Sequence, residues 1–214
     1  MSILDDICIN LQQGRAKNVK ELVQKAIDEG IDVKDILEQG LLKGMDIIGT
    51  KFKNNEVYVP EVLIAARAMK AGTELLKPLF ESSGIKAIGK AVLGTVKGDL
   101  HDIGKNLVRM MFEGKGIEVI DLGVDVPKEK FIEAAIENNA QIIACSALLT
   151  TTMNEMKLIV EAAKEAGIRD KVTIMVGGAP VTEAFCKNIG ADIYTPDAAS
   201  AAEEAAKVCM AKMN

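Results

Sequence analysis

The sequence predicts an α/β protein in two parts: a bundle of four helices, then a parallel five-stranded sheet covered on both faces by helices. Three observations carry this expectation. Residues 1–84 place apolar side chains at helical spacing and show no strand-like alternation. Residues 90–214 instead alternate short apolar runs with amphipathic stretches, the pattern of buried parallel strands joined by helices. Between them, Ser82-Ser83-Gly84 and the stretch from Lys86 to Gly89 read as a linker, set at residues 85–89.

In the first part, helices are expected near 3–13, 18–29, 32–54 and 60–81. Leu22, Val23, Ala26 and Ile27 share one face, as do Met45, Ile48 and Phe52. Asn18, with Glu21 three residues on, predicts a capping box. Gly30 suits a helix stop, and Asp32 suits the next cap. Val59-Pro60-Glu61 opens the fourth helix, because proline is tolerated in a first turn where its missing N–H has no partner anyway. Four helices on short links make a small bundle.

In the second part, strands are expected at Ala91–Val96, Ile117–Leu122, Gln141–Ala147, Val172–Val176 and Asp192–Tyr194. Helices near 104–115, 128–139, 153–166, 181–189 and 198–212 separate and follow them. Open parallel sheets bind ligands at the carboxyl ends of their strands, so the loops after each strand are where chemistry belongs.

Composition removes several function classes. The 214 residues include no Trp, two Tyr and five Phe, and the net charge is −5. Neither an aromatic stacking platform nor a basic face for nucleic acid is expected. Cys8, Cys145, Cys186 and Cys209 form no C-x-x-C pair, so no redox dithiol or structural zinc site is signalled; Cys145 reads as a small core residue. The ten methionines scatter through helices as core filler. Met1-Ser-Ile-Leu-Asp5-Asp6 is not a secretory signal, and no apolar stretch reaches the ~18 residues that span a bilayer. A cytoplasmic protein with no membrane partner is expected.

The chain has one histidine, His101, which excludes a multi-histidine metal centre and paired catalytic histidines. It lies in the loop after the first strand, Gly94-Thr-Val-Lys-Gly98-Asp99-Leu-His101-Asp102-Ile103-Gly104. The loop lacks the glycine and lysine spacing of either common nucleotide-binding loop. A surface histidine of no consequence is the plain alternative. Against it, Asp99 lies two residues away, and a carboxylate beside an imidazole fixes its tautomer and raises its basicity, as for metal-ligating histidines. A single histidine can serve as one axial ligand of a metal already held by a macrocycle.

Asp99-x-His101-x-x-Gly104 resembles the D-x-H-x-x-G signature of cobalamin-binding domains. After 41 intervening residues comes Ser146-Ala-Leu148, and after 28 more Gly177-Gly178, separations similar to the family's. The resemblance implies a flavodoxin/Rossmann-like domain that takes a corrinoid base-off, with His101 on cobalt and Asp99 on the distal imidazole nitrogen. Gly98, Asp102, Ile103 and Gly104 would complete the loop, with Gly104 leaving room for the nucleotide tail. Ser146 would hydrogen-bond the inserted base, Leu148 would belong to the same motif, and Thr150 would add a second polar contact. Gly177 and Gly178 would keep the tail's channel open, and Ala198 would touch the cofactor again. Taken alone, Ser146 and Thr150 could equally be helix caps, and the glycine pair a plain tight turn.

The helical part resembles the module that precedes the corrinoid domain in methionine synthase and in small corrinoid proteins of methyltransferase systems. There it shields the methyl-bearing face of the cofactor, and Glu38, Phe52 and Val59 align with residues near that face. Val59 stands where leucine is more usual, and Phe52 and Val59 read equally well as bundle core. Because the chain has no room for a catalytic barrel, the resemblance implies a non-catalytic methyl carrier. A substrate-specific corrinoid methyltransferase would load it. A second methyltransferase, using tetrahydrofolate or a thiol, would unload it, and a reductive activator would restore it. The Ser82–Gly89 stretch would be the hinge that moves the cap. A cobalamin-dependent sensor and the small subunit of an adenosylcobalamin mutase are the rival readings. The first lacks a visible DNA-binding module, and the second does not account for the helical cap.

Overall fold

The computed structural model describes residues 2–83 and 87–212. The chain divides into two compact units. One comprises the residues up to Ala87 together with Gly114–Gly116; the other comprises Ile88–Glu113 and the residues from Ile117 onward. Of the expected linker and hinge, residues 84–86 lie outside the described residues; Ser82 and Ser83 end a helix, and Gly89 opens the first strand.

The first unit is helical. Helix α1 (Ile3–Gln12) begins with a capping box at Ser2, whose hydroxyl accepts the Asp5 N–H at 3.2 Å while the Asp5 carboxylate accepts the Ser2 N–H at 3.0 Å. Helix α2 (Ala16–Asp28) starts two residues before the expected Asn18 cap. Gly14, at φ +67, turns the chain early, and the Arg15 carbonyl already accepts the Val19 N–H. Asn18 is therefore inside the helix, and its side chain donates to Asn10 Oδ1 instead. Asp32 caps as expected, accepting the Lys34 N–H at 2.8 Å.

The expected helix over 32–54 is three consecutive pieces: α3 (Val33–Asp35), a π-helical segment (Ile36–Leu42) and α4 (Lys43–Lys53). The wider π turn places Ile36, Gly40 and Leu41 together in the core. Gly40 lies against Ile7, where even a methyl group would sit 3.1 Å from the Ile7 side chain. Helix α5 (Val59–Ser83) starts at the expected Val59-Pro60. Ile7, Leu11, Val19, Val23, Ile36, Leu41, Val62, Ala65 and Leu76 are among the fully buried residues of this bundle.

The second unit contains strands β1 (Gly89–Thr95), β2 (Ile117–Asp121), β3 (Ile142–Ser146), β4 (Thr173–Gly177) and β5 (Ile193–Tyr194). They form one parallel sheet in the order β2-β1-β3-β4-β5. Helices α6 (Ile103–Gly114), α7 (Lys128–Glu137), α8 (Asn154–Glu165), α9 (Glu183–Ile189) and α10 (Ala198–Ala211) complete the βα units. The core is built on Val92, Ile143, Cys145, Ile174 and Val176 of the sheet with Phe131, Met156, Ile159 and Val160 of the helices. Gly94 lets α7 approach β1, because a methyl group there would collide with the Phe131 ring. The order reverses between β1 and β3, so the loops after these two strands flank the sheet's switch point, where ligands of this architecture bind.

Candidate functional site

Register draws three distant parts of the sequence into one row. Thr95, the last residue of β1, pairs with Ser146, the last of β3, and Ser146 pairs with Gly177, the last of β4. The loop after β1 carries Asp99 and His101, and the loop after β3 carries Leu148 to Thr152. The two loops meet at Asp99.

Asp99 is fully buried, and its carboxylate accepts five hydrogen bonds. Oδ1 takes the His101 N–H at 3.1 Å and His101 Nδ1 at 2.7 Å. Oδ2 takes the Leu148 N–H at 2.8 Å, the Leu149 N–H at 3.2 Å and the Thr152 hydroxyl at 2.9 Å. Burial by itself pushes the Asp99 carboxyl up. The bonds from His101, Leu148 and Thr152 outweigh it and hold the group well below the usual carboxylate range. Asp99 is therefore a carboxylate at neutral pH and only accepts, so the proton on its His101 partner sits on Nδ1. That leaves the lone pair on Nε2, the tautomer a metal-ligating imidazole needs.

The His101 side chain is 52% exposed. Thr95, fully buried, donates its hydroxyl to the His101 carbonyl at 2.9 Å and so ties down the far end of the loop. Around the loop, Leu100, Ile103, Leu148 and Leu149 are exposed, an apolar rim at the carboxyl ends of β1 and β3. Asp102 stands apart from the Asp99 cluster and accepts from the Asn106 side chain at 3.0 Å. Gly98 adopts the left-handed conformation at φ +80.

The two glycine motifs differ in what they demand. A methyl group on Gly104 or on Gly177 would meet nothing within 4 Å, so both positions border open space. A methyl group on Gly178 would strike the backbone carbonyl of Ala147, and Gly178 has φ +132. Its glycine is required by the close approach of the chain after β4 to the chain after β3. Ser146 is half-buried, and its hydroxyl makes no hydrogen bond among the described residues. Thr150 is exposed and does not reach Asp99, whereas Thr152, two residues on, does. Ala198 is buried at the start of α10, directly after Asp197, which caps that helix through the Ser200 N–H at 2.8 Å.

Sequence reasoning missed Thr152 and the two backbone donors. The run Thr150-Thr151-Thr152 was visible, but the turn decides which hydroxyl points inward. It also missed the ion cluster behind α6. Lys105, 2% exposed, holds both oxygens of Asp121 at 2.7 and 2.8 Å, and Arg109 adds a bond at 3.0 Å. Burial raises the Asp121 carboxyl, but the bonds from Lys105 and the Gly123 N–H lower it more. The cluster fixes the first turn of α6 against the end of β2.

In the helical unit, Phe52 and Val59 are half-buried rather than core residues. Glu38 is exposed in the π segment, 3.8 Å from Lys34. All four cysteines are buried and free, and burial pushes the Cys145 thiol up, consistent with a packing role. Among the described residues, no group of three or more His, Cys, Asp or Glu side chains could hold a metal ion, and no helix is long and apolar enough to cross a membrane.

The chemistry of the donor set fits a metal that brings its other ligands with it. One imidazole nitrogen is presented, open space borders Gly104 and Gly177, and an apolar rim suits the face of a large ring. Fold and site together define an α/β protein whose loops at the switch point of a parallel sheet present one imidazole to open space. The chain belongs to the B12-binding protein family: the family model described as B12 binding domain matches residues 89–206, and a second model of the same description matches residues 3–77. It is 43% identical over 211 residues to a corrinoid protein of Desulfitobacterium hafniense, covering 97% of this chain and 98% of that one. It is 47% identical over 176 residues to trimethylamine corrinoid protein 1 of Methanosarcina acetivorans, covering 81% and 82%. Among solved structures, the methanol:cobalamin methyltransferase complex of Methanosarcina barkeri aligns with a TM-score of 0.87 at 32% identity, over 97% of this chain and 79% of that one.

Proposed function

We propose that this protein is the corrinoid methyl carrier of a multi-component methyltransferase system. It carries the corrinoid base-off, with His101 Nε2 as the lower axial ligand of cobalt. The observation that carries this reading is the Asp99–His101 bond of 2.7 Å, made by a fully buried carboxylate at the switch point of the sheet. Bound there, the corrinoid supplies a cobalt centre that accepts a methyl group and gives it up again.

The protein's own groups orient that centre and manage a proton. Asp99 keeps the proton on Nδ1 and the lone pair on Nε2. Gly98, Asp102 and Ile103 shape the loop that presents His101. Gly104 and Gly177 leave the space the nucleotide tail needs, and Ser146, Leu148, Thr150, Gly178 and Ala198 line its path. Glu38, Phe52 and Val59 are the proposed shield of the methyl-bearing face; the half-buried state of Phe52 and Val59 leaves part of each side chain for that contact.

A substrate-specific methyltransferase delivers the methyl group, and a second methyltransferase passes it to tetrahydrofolate or a thiol. A reductive activator restores the carrier when cobalt is oxidised. The relatives support the first partner most directly, since one of them is solved as a methanol:cobalamin methyltransferase complex. Titration of the purified full chain with hydroxocobalamin tests the reading. One equivalent should bind, with the absorption spectrum of imidazole-ligated cobalt. The His101→Ala variant should bind with a different spectrum; an unchanged spectrum would refute axial ligation.

A further inference from the structure

Asp125, in the loop between β2 and α7, has φ +55, a left-handed conformation that residues with a β-carbon seldom adopt. Such conformations persist where surrounding bonds over-determine them. Here the bonds lead to the histidine loop. The Asp125 carboxylate accepts the Gly98 N–H at 2.7 Å, and the Asp125 N–H donates to the Asp99 carbonyl at 3.0 Å. The two contacts bracket the Gly98–Asp99 step from the β2 side of β1, while the bonds to the Asp99 carboxylate from Leu148, Leu149 and Thr152 arrive from the β3 side.

From this clasp we infer that Asp125 is a positioning residue for the His101 ligand. The carboxylate contacts hold the Asp99 side chain and the His101 N–H, and Thr95 holds the His101 carbonyl, but none of these bonds holds the Gly98–Asp99 step from which the loop starts. The chain there starts from Gly98 in a left-handed conformation, and among the described residues the Asp99 N–H has only the Val96 carbonyl, at 3.1 Å, to hold it. With Asp125 in place, backbone and side chain of Asp99 are both immobilised, and the imidazole inherits one orientation. Without it, the loop samples orientations in which Nε2 is aimed away from its metal.

The inference rests on the reading of His101 as axial ligand, and the test separates the two. The full chain is labelled with 15N-histidine, loaded with hydroxocobalamin and reduced to the Co(II) form. Electron paramagnetic resonance then shows a doublet splitting when 15N of His101 is on cobalt, and a triplet when the cofactor's own 14N base is. Asp125→Gly removes the carboxylate and accepts the backbone conformation without strain. Asp125→Asn keeps both an acceptor oxygen and tolerance of the left-handed region. The ratio of doublet to triplet should fall about tenfold in Asp125→Gly, the loss expected for one charge-assisted hydrogen bond. It should stay within about twofold of the parent protein in Asp125→Asn. A parent-like ratio in Asp125→Gly overturns the inference. So does an equal loss in both variants, or a fall in thermal stability in Asp125→Gly that accounts for the change. A parent protein showing no doublet overturns the ligand assignment instead.

Discussion

Asp99 holds a full charge out of contact with water, and its five donors are what make that tolerable. Each donor can be tested singly. Thr152→Val removes the hydroxyl at constant shape and should destabilise the protein by about 1–3 kcal/mol in denaturant unfolding, since a buried carboxylate loses a partner. Thr152→Ser restores the donor and should recover most of the loss. The pH dependence has a definite sign. The Asp99 pKa is lower folded than unfolded, so its stabilisation is complete above the unfolded value of about 3.9 and is lost as pH falls toward the folded one. The stability gap between the parent protein and Asp99→Asn should therefore be widest near neutrality and shrink below about pH 3.9. A gap that is constant with pH would mean that folding leaves the Asp99 pKa unshifted, and one that grows as pH falls would mean that the carboxyl is protonated in the folded protein.

At the scale of elements, strand ends and helix starts divide the work. Register alone aligns Thr95, Ser146 and Gly177, and the turn after β3 supplies donors to a carboxylate that belongs to the loop after β1. The glycines then separate packing from ligand space. Gly178→Ala forces a β-carbon onto the Ala147 carbonyl at a conformation reserved for glycine, and should cost about 3 kcal/mol or more or prevent folding. Gly104→Leu places its β-carbon where nothing lies within 4 Å and replaces a poor helix former in the first turn of α6. The apo protein should be unharmed or more stable by up to about 1 kcal/mol, while hydroxocobalamin binding weakens. Thermal melts with and without hydroxocobalamin check both halves. Undiminished binding by Gly104→Leu would mean that the nucleotide tail runs elsewhere.

At the scale of the whole molecule, two compact units share one chain, and binding a large cofactor couples to the stability of what holds it. At a hydroxocobalamin concentration about 100 times its Kd, the unit built on the sheet should gain about 2.7 kcal/mol, seen as a raised melting transition. His101→Ala at the same concentration should gain less. Much of this molecule is legible in its sequence because its signals are local. The alternation of apolar runs with amphipathic stretches places strands and helices to within a few residues, and the family spacing around His101 marks Asp99, Gly104, Ser146 and Gly177. The misreadings are equally physical. Asn18 looks like a helix cap, but Gly14 turns the chain two residues sooner, and a π turn interrupts an apolar pattern that reads as continuous α-helix. Thr152, the Leu148 and Leu149 N–H groups and the left-handed Asp125 carry no local mark. They matter because the sheet order brings the loops after β2 and β3 onto the loop after β1, the first at the Asp99 backbone and the second at its carboxylate. By itself, the sequence determined which elements form and which histidine is available, since periodicity and composition act over a few residues. Only the tertiary structure decided which groups hold Asp99 beneath that histidine, because those hydrogen bonds depend on where backbones distant in sequence meet.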